Sequence, residues 1–206
     1  MTGERARPGR LGDVAGVVLA AGSSSRLGEN KLLVELEGEP LVRRAASTAL
    51  AAGLAPVIVV LGHEADRVRA ALEGLPVTPV ENPRHVEGMP SSFRAGIRAV
   101  PDRCDALVIL LPDMPFVTPA MVAETVDRYR AESRPLVITV YGDTPAPPTL
   151  YARSLFPAML AAREGGREVV REHRAAAAAI RRPAGLLLDV DHPADLERLR
   201  REQPGT

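Results

Sequence analysis

Four stretches of the chain carry short runs rich in Val, Ile and Leu: AGVVLAAG at 15–22, PVIVVLG at 56–62, DALVILLPD at 105–113 and PLVITVYG at 135–142. A strand with one wet face would alternate polar and apolar positions. These do not, so they predict strands buried on both faces in a mostly parallel sheet. Amphipathic stretches separate them. PLVRRAASTALAAG opens on a proline and closes at Gly53, HEADRVRAALEG closes at Gly74, and TPAMVAETVDRYRAE places Thr118 at an N-cap and Pro119 at the first helical position. Strand and helix alternate, which predicts a doubly wound, Rossmann-like α/β sandwich with its ligand cleft beyond the carboxyl ends of the strands. Residues 143–206 break the rhythm with TPAPPTLY, an arginine-rich helical stretch over about 152–182 that includes five alanines, a short strand GLLLDV and a last helix after Pro193. They are expected to form the far edge of the sheet.

Composition narrows the picture. The 206 residues suit one domain over 14–206 behind a flexible tail at 1–13. Aromatic residues make up 3% with no Trp, so the core is aliphatic. Basic and acidic residues balance at 26 each, which supplies no field for nucleic acid or an anionic membrane. The single Cys104 forms no internal disulfide and fits a cytoplasmic setting as a small core filler. The N-terminal arginines precede no apolar stretch, and no run approaches a membrane span.

The first predicted strand opens into SSSRLGENK. A glycine- and serine-rich turn at the carboxyl end of a buried strand lets backbone N–H groups close on phosphate, and Arg26 and Lys31 would add charge. The spacing fits neither a Walker loop nor the GxGxxG fingerprint. A solvated polar loop with two incidental cations is the plainer alternative. Lys31 is the single lysine among 26 lysine and arginine residues. Asp113 ends the most apolar strand, where a carboxylate can hold Mg²⁺ against a nucleotide phosphate or simply cap a turn. LLLDVDHPADL offers Asp189 and Asp191 on one side of the chain, as further cleft carboxylates or as helix N-terminal charge. In ENPRHVEGMPSSFRAG, Asn82, Pro83 and Gly88 lead to Ser91 and Ser92, which read as N-caps or as part of a substrate-facing loop. His63, His85, His173 and His192 are spaced as neither a triad nor a metal cluster.

In order, the phosphate loop, GHEADRV, NPxxxxGMxxS, the strand ending in Asp-Met-Pro and the late DVDHPADL resemble the MobA-like nucleotidyltransferases, most closely the molybdenum cofactor cytidylyltransferases. The resemblance runs from about Ala15 to the last helix. It implies nucleotide contacts from Leu19, Ala20, Ala21, Gly22, Ser23, Ser24, Ser25, Arg26 and Lys31. Gly62, His63, Asn82, Ser91, Ser92 and Asp113 complete that implied set. It also implies Mg²⁺ held by Asp113 and Asp191, and catalysis by Arg26, Lys31 and Asp113. LAAG is similar to the cytidylyl branch, whereas guanylyl members usually show two glycines after LA. Two positions depart from the family pattern: Pro112 replaces a glycine before the metal-site acid, and Ala146-Pro147-Pro148 replaces a Gly-His-Pro stretch on the acceptor side.

What the resemblance implies chemically is attack by a terminal phosphate of a molybdopterin-type acceptor on the α-phosphorus of CTP, with pyrophosphate leaving. No protein nucleophile is then needed. Two alternatives are a guanylyltransferase on the same or another phosphorylated small molecule, and a non-catalytic nucleotide-binding accessory protein for cofactor insertion. The expected partners are a nucleoside triphosphate, a phosphorylated acceptor and a recipient molybdoenzyme or insertion chaperone, with neither nucleic acid nor membrane.

Overall fold

The computed structural model describes residues 13–22, 30–188, 190 and 195. In chain order the elements are β1 (Asp13–Ala20), β2 (Glu35–Leu36), β3 (Glu39–Pro40), α1 (Leu41–Ala51), β4 (Val57–Leu61), α2 (Ala65–Ala71), β5 (Thr78–Glu81), α3 (Met89–Ala99), β6 (Cys104–Leu110), α4 (Pro119–Glu132), β7 (Leu136–Tyr141), β8 (Thr144–Ala152), α5 (Phe156–Ala161), α6 (Gly166–His173) and β9 (Ala177–Arg182). Seven strands form one sheet in the order β5-β4-β1-β6-β8-β7-β9, and β2 pairs with β3 in a separate small ribbon. Every pairing in the large sheet is parallel except those of β8, which runs against both β6 and β7. The expected α/β sandwich is therefore present, mostly parallel and covered on both faces.

Alternation along each strand sends side chains to opposite faces. Val14, Val18 and Ala20 of β1 join Val57, Val59 and Leu61 of β4 in a core closed by α1, α2 and α4. Ala15, Val17 and Leu19 join Ile58, Val60, Leu107 and Ile109 in a second core closed by α3, α5 and α6. At about 1.5–3 kcal/mol for each fully buried aliphatic side chain, these two layers dominate the stabilisation. At Gly96 a helix lies close against the sheet: an added Cβ would lie 2.5 Å from Val17 Cγ1 and 3.1 Å from Val60 Cγ2. No smaller residue exists for that position.

Thr118 is the N-cap of α4 as expected, its hydroxyl accepting from Met121 N at 3.3 Å. Three features of the C-terminal third differ from expectation. TPAPPTLYA forms β8 inside the sheet; its Pro147 and Pro148 lie at a register shift, where the ladder passes from Val137↔Leu150 to Thr139↔Ala146. Proline has no N–H to donate, so the ladder steps around the pair. The freed carbonyls accept from side chains instead, Pro147 O from Tyr141 Oη at 2.9 Å and Pro148 O from Thr139 Oγ1 at 2.7 Å.

The five alanines, expected in a helix, run into the edge strand β9, whose parallel pairing with β7 outweighs alanine's helix preference. GLLLDV was expected as a strand, but Ala184–Leu186 is a 3₁₀ turn and no strand follows among the described residues. Leu188 and Val190 of this stretch instead pack with Leu36 and Leu41. The tail before Asp13 lies outside the described residues, as does the proposed last helix apart from Asp195, which is helical.

Replacing Gly96 by Ala should destabilise the fold by about 1–3 kcal/mol, because overpacking against Val17 outweighs the roughly 0.5–1 kcal/mol that alanine gains in a helix interior. Urea unfolding followed by circular dichroism checks this. The expected result is a lower midpoint with an unchanged slope; a midpoint at or above that of the parent would show that α3 can move away from β1 without cost.

Candidate active site

The chain runs from β1 outward through β4 to β5, then crosses back to place β6 on the other side of β1. The carboxyl ends of β1 and β6 thus flank the point where the winding reverses, the usual ligand crevice of an open α/β sheet. Leu19, Ala20 and Ala21 reach that rim with buried side chains, so they can offer a ligand only their backbone. An added Cβ at Gly22 would meet nothing within 4 Å among the described residues. At Gly62, beyond β4, it would lie 2.6 Å from Ala21 O and 2.7 Å from His85 Cβ, so only glycine lets these ends close together. Ser23, Ser24, Ser25, Arg26 and Gly28 lie outside the described residues, as do Asp189, Asp191 and His192.

Lys31 opens a short 3₁₀ turn, Lys31–Leu33. Asn30, which the sequence reading did not single out, caps that turn, its Oδ1 accepting from Leu32 N at 3.1 Å. Leu32 is buried in the α1 layer and anchors the base from which the lysine extends. Across the crevice, Leu111-Pro112-Asp113-Met114 makes a tight turn closed by Met114 N donating to Leu111 O at 3.3 Å. Pro112 stands at the second position of this turn, where a fixed φ is favourable and no N–H is required. That accounts for the departure from glycine. Val190 N donates to Asp113 O at 2.9 Å, tying Val190 to the same turn.

Lys31 and Asp113 meet. Lys31 Nζ donates to Asp113 Oδ2 at 2.7 Å, with the two side chains 15% and 22% exposed. The other carboxylate oxygen, Oδ1, is buried without a hydrogen-bond partner. A buried anionic oxygen left unsatisfied is costly in a closed core and is the donor that a hard cation such as Mg²⁺ or Mn²⁺ takes. The residues present therefore fit a divalent metal at Asp113. No group of three His, Cys, Asp or Glu among the described residues makes a preformed metal cluster.

Asn82, Ser91 and Ser92 come together, but as a buried knot. Asn82 Nδ2 donates to Ser91 Oγ at 2.8 Å and to Ser92 Oγ at 3.0 Å, while Oδ1 accepts from Arg84 N at 3.1 Å. Ser91 Oγ in turn lies 2.8 Å from both Arg84 O and Gly88 O. The serines are thus not N-caps: Gly88 precedes α3, with no side-chain cap, and both serines sit inside its first turn. The knot ties the 82–88 loop to the start of α3, and Val86 and Met89 there are exposed, at 83% and 61%. His63 stands beyond β4 with its ring 6.4 Å from that of His85 and its Nε2 3.8 Å from Glu64 Oε2. The Arg67 guanidinium beside it holds the Glu64 carboxyl below the usual range.

A model of the MobA-like NTP transferase domain matches residues 16–180. The chain belongs to that family. It is 42% identical to the bifunctional protein GlmU of Halorhodospira halophila over 108 residues, covering 52% of this chain and 22% of that protein. It is 37% identical to the nicotine blue oxidoreductase of Paenarthrobacter nicotinovorans over 123 residues, covering 59% of this chain and 58% of that one. The chain thus spans less than two thirds of the length of these relatives. Among solved structures, Rv0371c of Mycobacterium tuberculosis superposes with a TM-score of 0.82 at 28% identity, covering 94% of this chain and 100% of that one. A complex of the same mycobacterial protein with manganese gives 0.71 at 28% identity, covering 93% and 100%.

No helix among the described residues is long and apolar enough to cross a membrane.

Replacing Asn82 by Ala should cost about 1–3 kcal/mol of stability, because Arg84 N and two buried serines lose a partner together. Thermal melting and limited proteolysis check this. Cleavage within 82–91 at a temperature where the parent is intact is the expected outcome, and a variant as stable and resistant as the parent would show that the knot contributes nothing net.

Proposed function

We propose that the protein is a nucleotidyltransferase that moves CMP from CTP to the terminal phosphate of a molybdopterin-type cofactor, releasing pyrophosphate. Family membership alone does not fix the reaction, since one relative is named an oxidoreductase. The observation that carries the reading is the Lys31–Asp113 pair at the reversal point between β1 and β6, with one carboxylate oxygen unsatisfied. An ammonium and a metal-competent carboxylate facing one crevice are what phosphoryl chemistry requires of a protein. The redox reading finds no such support in the site.

The acceptor phosphate oxygen attacks the α-phosphorus in line, and the bond from that phosphorus to the α–β bridging oxygen breaks, with pyrophosphate taking the electron pair. The Gly22–Ser25 backbone and Arg26 are assigned to the β- and γ-phosphates. Lys31 is assigned to the α-phosphate, where charge builds up. Asp113, with Asp191 as its partner, would hold a divalent metal, whose role is to neutralise phosphate charge; a manganese-bound relative supports this. Asn82, Ser91 and Ser92 act by shaping the rim, because their polar atoms are engaged with one another. His63 packs beside the nucleotide. Arginine's planar fork favours bidentate contacts, whereas an ammonium is a point charge that fits one oxygen in a crowded loop, which explains a lysine at residue 31 in an arginine-rich chain. The LAAG sequence supports cytosine over guanine.

Pyrophosphate release from each of the four nucleoside triphosphates, with Mg²⁺ and a phosphorylated pterin acceptor, tests this reading. CTP should be preferred to GTP, and a GTP preference would move the protein to guanylyl transfer. Asp113→Asn should abolish release while leaving the melting temperature near that of the parent. Lys31→Ala should lower kcat by roughly 10²- to 10³-fold, as loss of one preorganised charge does, and Lys31→Arg should recover little of it. Tight CTP binding by the parent without pyrophosphate release from any acceptor would favour the accessory-protein alternative.

A further inference from the structure

The same pair carries a second consequence, resting on the reading of the crevice as a site for metal and nucleotide. Without a nucleotide, Asp113 already has a cation: the Lys31 ammonium, 2.7 Å from Oδ2 and largely shielded from water. A divalent ion approaching this carboxylate alone meets a neutralised charge and a like charge beside it, and at low exposure neither effect is much screened. Both partners stand on fixed bases. The lysine backbone is held by the Asn30 cap and by buried Leu32, and Asp113 by its turn and by Val190 N. The four-carbon lysine stem has the rotatable bonds through which its ammonium can change partners. A triphosphate in the crevice offers that ammonium several oxygens more negative than Oδ2, and once it turns to them the carboxylate has lost its counter-cation.

We propose that Lys31 is a built-in counter-cation that keeps a divalent metal off Asp113 until a nucleoside triphosphate draws the ammonium away, so that metal and nucleotide load together. A static ion pair with no such role is the rival account, and the two differ in what removing the lysine charge does to metal binding. If the pair is only structural, its loss leaves metal affinity unchanged or lowers it. If the lysine competes with metal, its loss raises metal affinity in the absence of nucleotide while weakening the nucleotide's own binding. Because coupling between sites is reciprocal, CTP must then raise metal affinity more in the parent than in a variant without the ammonium.

The test is a titration with Mn²⁺, the free ion followed by electron paramagnetic resonance, on the full chain and on Lys31→Gln, Lys31→Met, Asp113→Asn and the Lys31→Gln/Asp113→Asn double variant, each with and without CTP. Without CTP, both lysine variants should bind Mn²⁺ about tenfold more tightly than the parent, an effect of the size usual for coupled sites. That gain should vanish in the double variant, and CTP should sharpen Mn²⁺ binding chiefly in the parent. Unchanged or weaker Mn²⁺ binding in both lysine variants, alongside CTP-dependent Mn²⁺ binding that still requires Asp113, overturns the counter-cation role and leaves the site reading standing. CTP-dependent Mn²⁺ binding that survives in Asp113→Asn overturns the site reading and this inference with it.

Discussion

Burial of the central strands on both faces is the constraint from which the rest of the molecule follows. β1, β4 and β6 send alternate side chains into two separate aliphatic cores, and polar side chains occur in them only at their amino ends, as Asp13 and Asp105. Charge can enter only where the strands stop. Because six of the seven strands run the same way, the carboxyl ends of β1, β4, β5 and β6 open on one rim. Reversal of the winding between β1 and β6 leaves a crevice there that helices do not close. Direct parallel pairing of β1 with β6 is what brings their carboxyl ends together.

Chemistry at that rim depends on holding a few polar groups still without spending them on each other. Asn82, Ser91 and Ser92 show one extreme: their hydrogen bonds are fully committed, and their effect is to fix a loop. Asp113 shows the other. Its backbone is fixed by a turn and by Val190, but one side-chain oxygen remains unsatisfied and the other holds the Lys31 ammonium. Binding energy from a nucleotide can act on such a carboxylate, whereas it cannot act on the Asn82 knot. Exchange of the Lys31 ammonium from Asp113 to phosphate is then the centre of the account.

Much of this was legible in the sequence for identifiable reasons. β1, β4, β6 and β7 announced themselves because strands buried on both faces must be apolar throughout, and α4 because Thr118-Pro119 is a helix start in its own right. Edge and interrupted strands carry no such mark. β5 is a short, largely exposed TPVE; β8 holds three prolines, tolerated because they fall in the part that pairs with β7 alone; β9 is drawn from an alanine run by pairing rather than propensity. In the site, residue type pointed to Lys31 and Asp113, but not to their contact across 82 positions of sequence. Asn30 was missed because a cap on a three-residue turn leaves no periodic signal. An asparagine ahead of the lone lysine was the only hint. The commitment of Asn82 to its own loop was likewise invisible, since only the contacts separate a structural amide from a binding one.

A chain with one lysine allows that residue to be watched alone. Lysine labelled with ¹³C at Cε gives a single side-chain resonance, from Lys31, with no assignment problem. The most direct measurement records that resonance in the free protein, with Mg²⁺ alone, with a non-hydrolysable CTP analogue alone and with both. The account predicts a resonance unmoved by Mg²⁺ alone, shifted by the analogue, and similarly shifted by both together. A resonance displaced by Mg²⁺ alone, or left in place by a bound analogue, would contradict the exchange of Lys31 from Asp113 to phosphate.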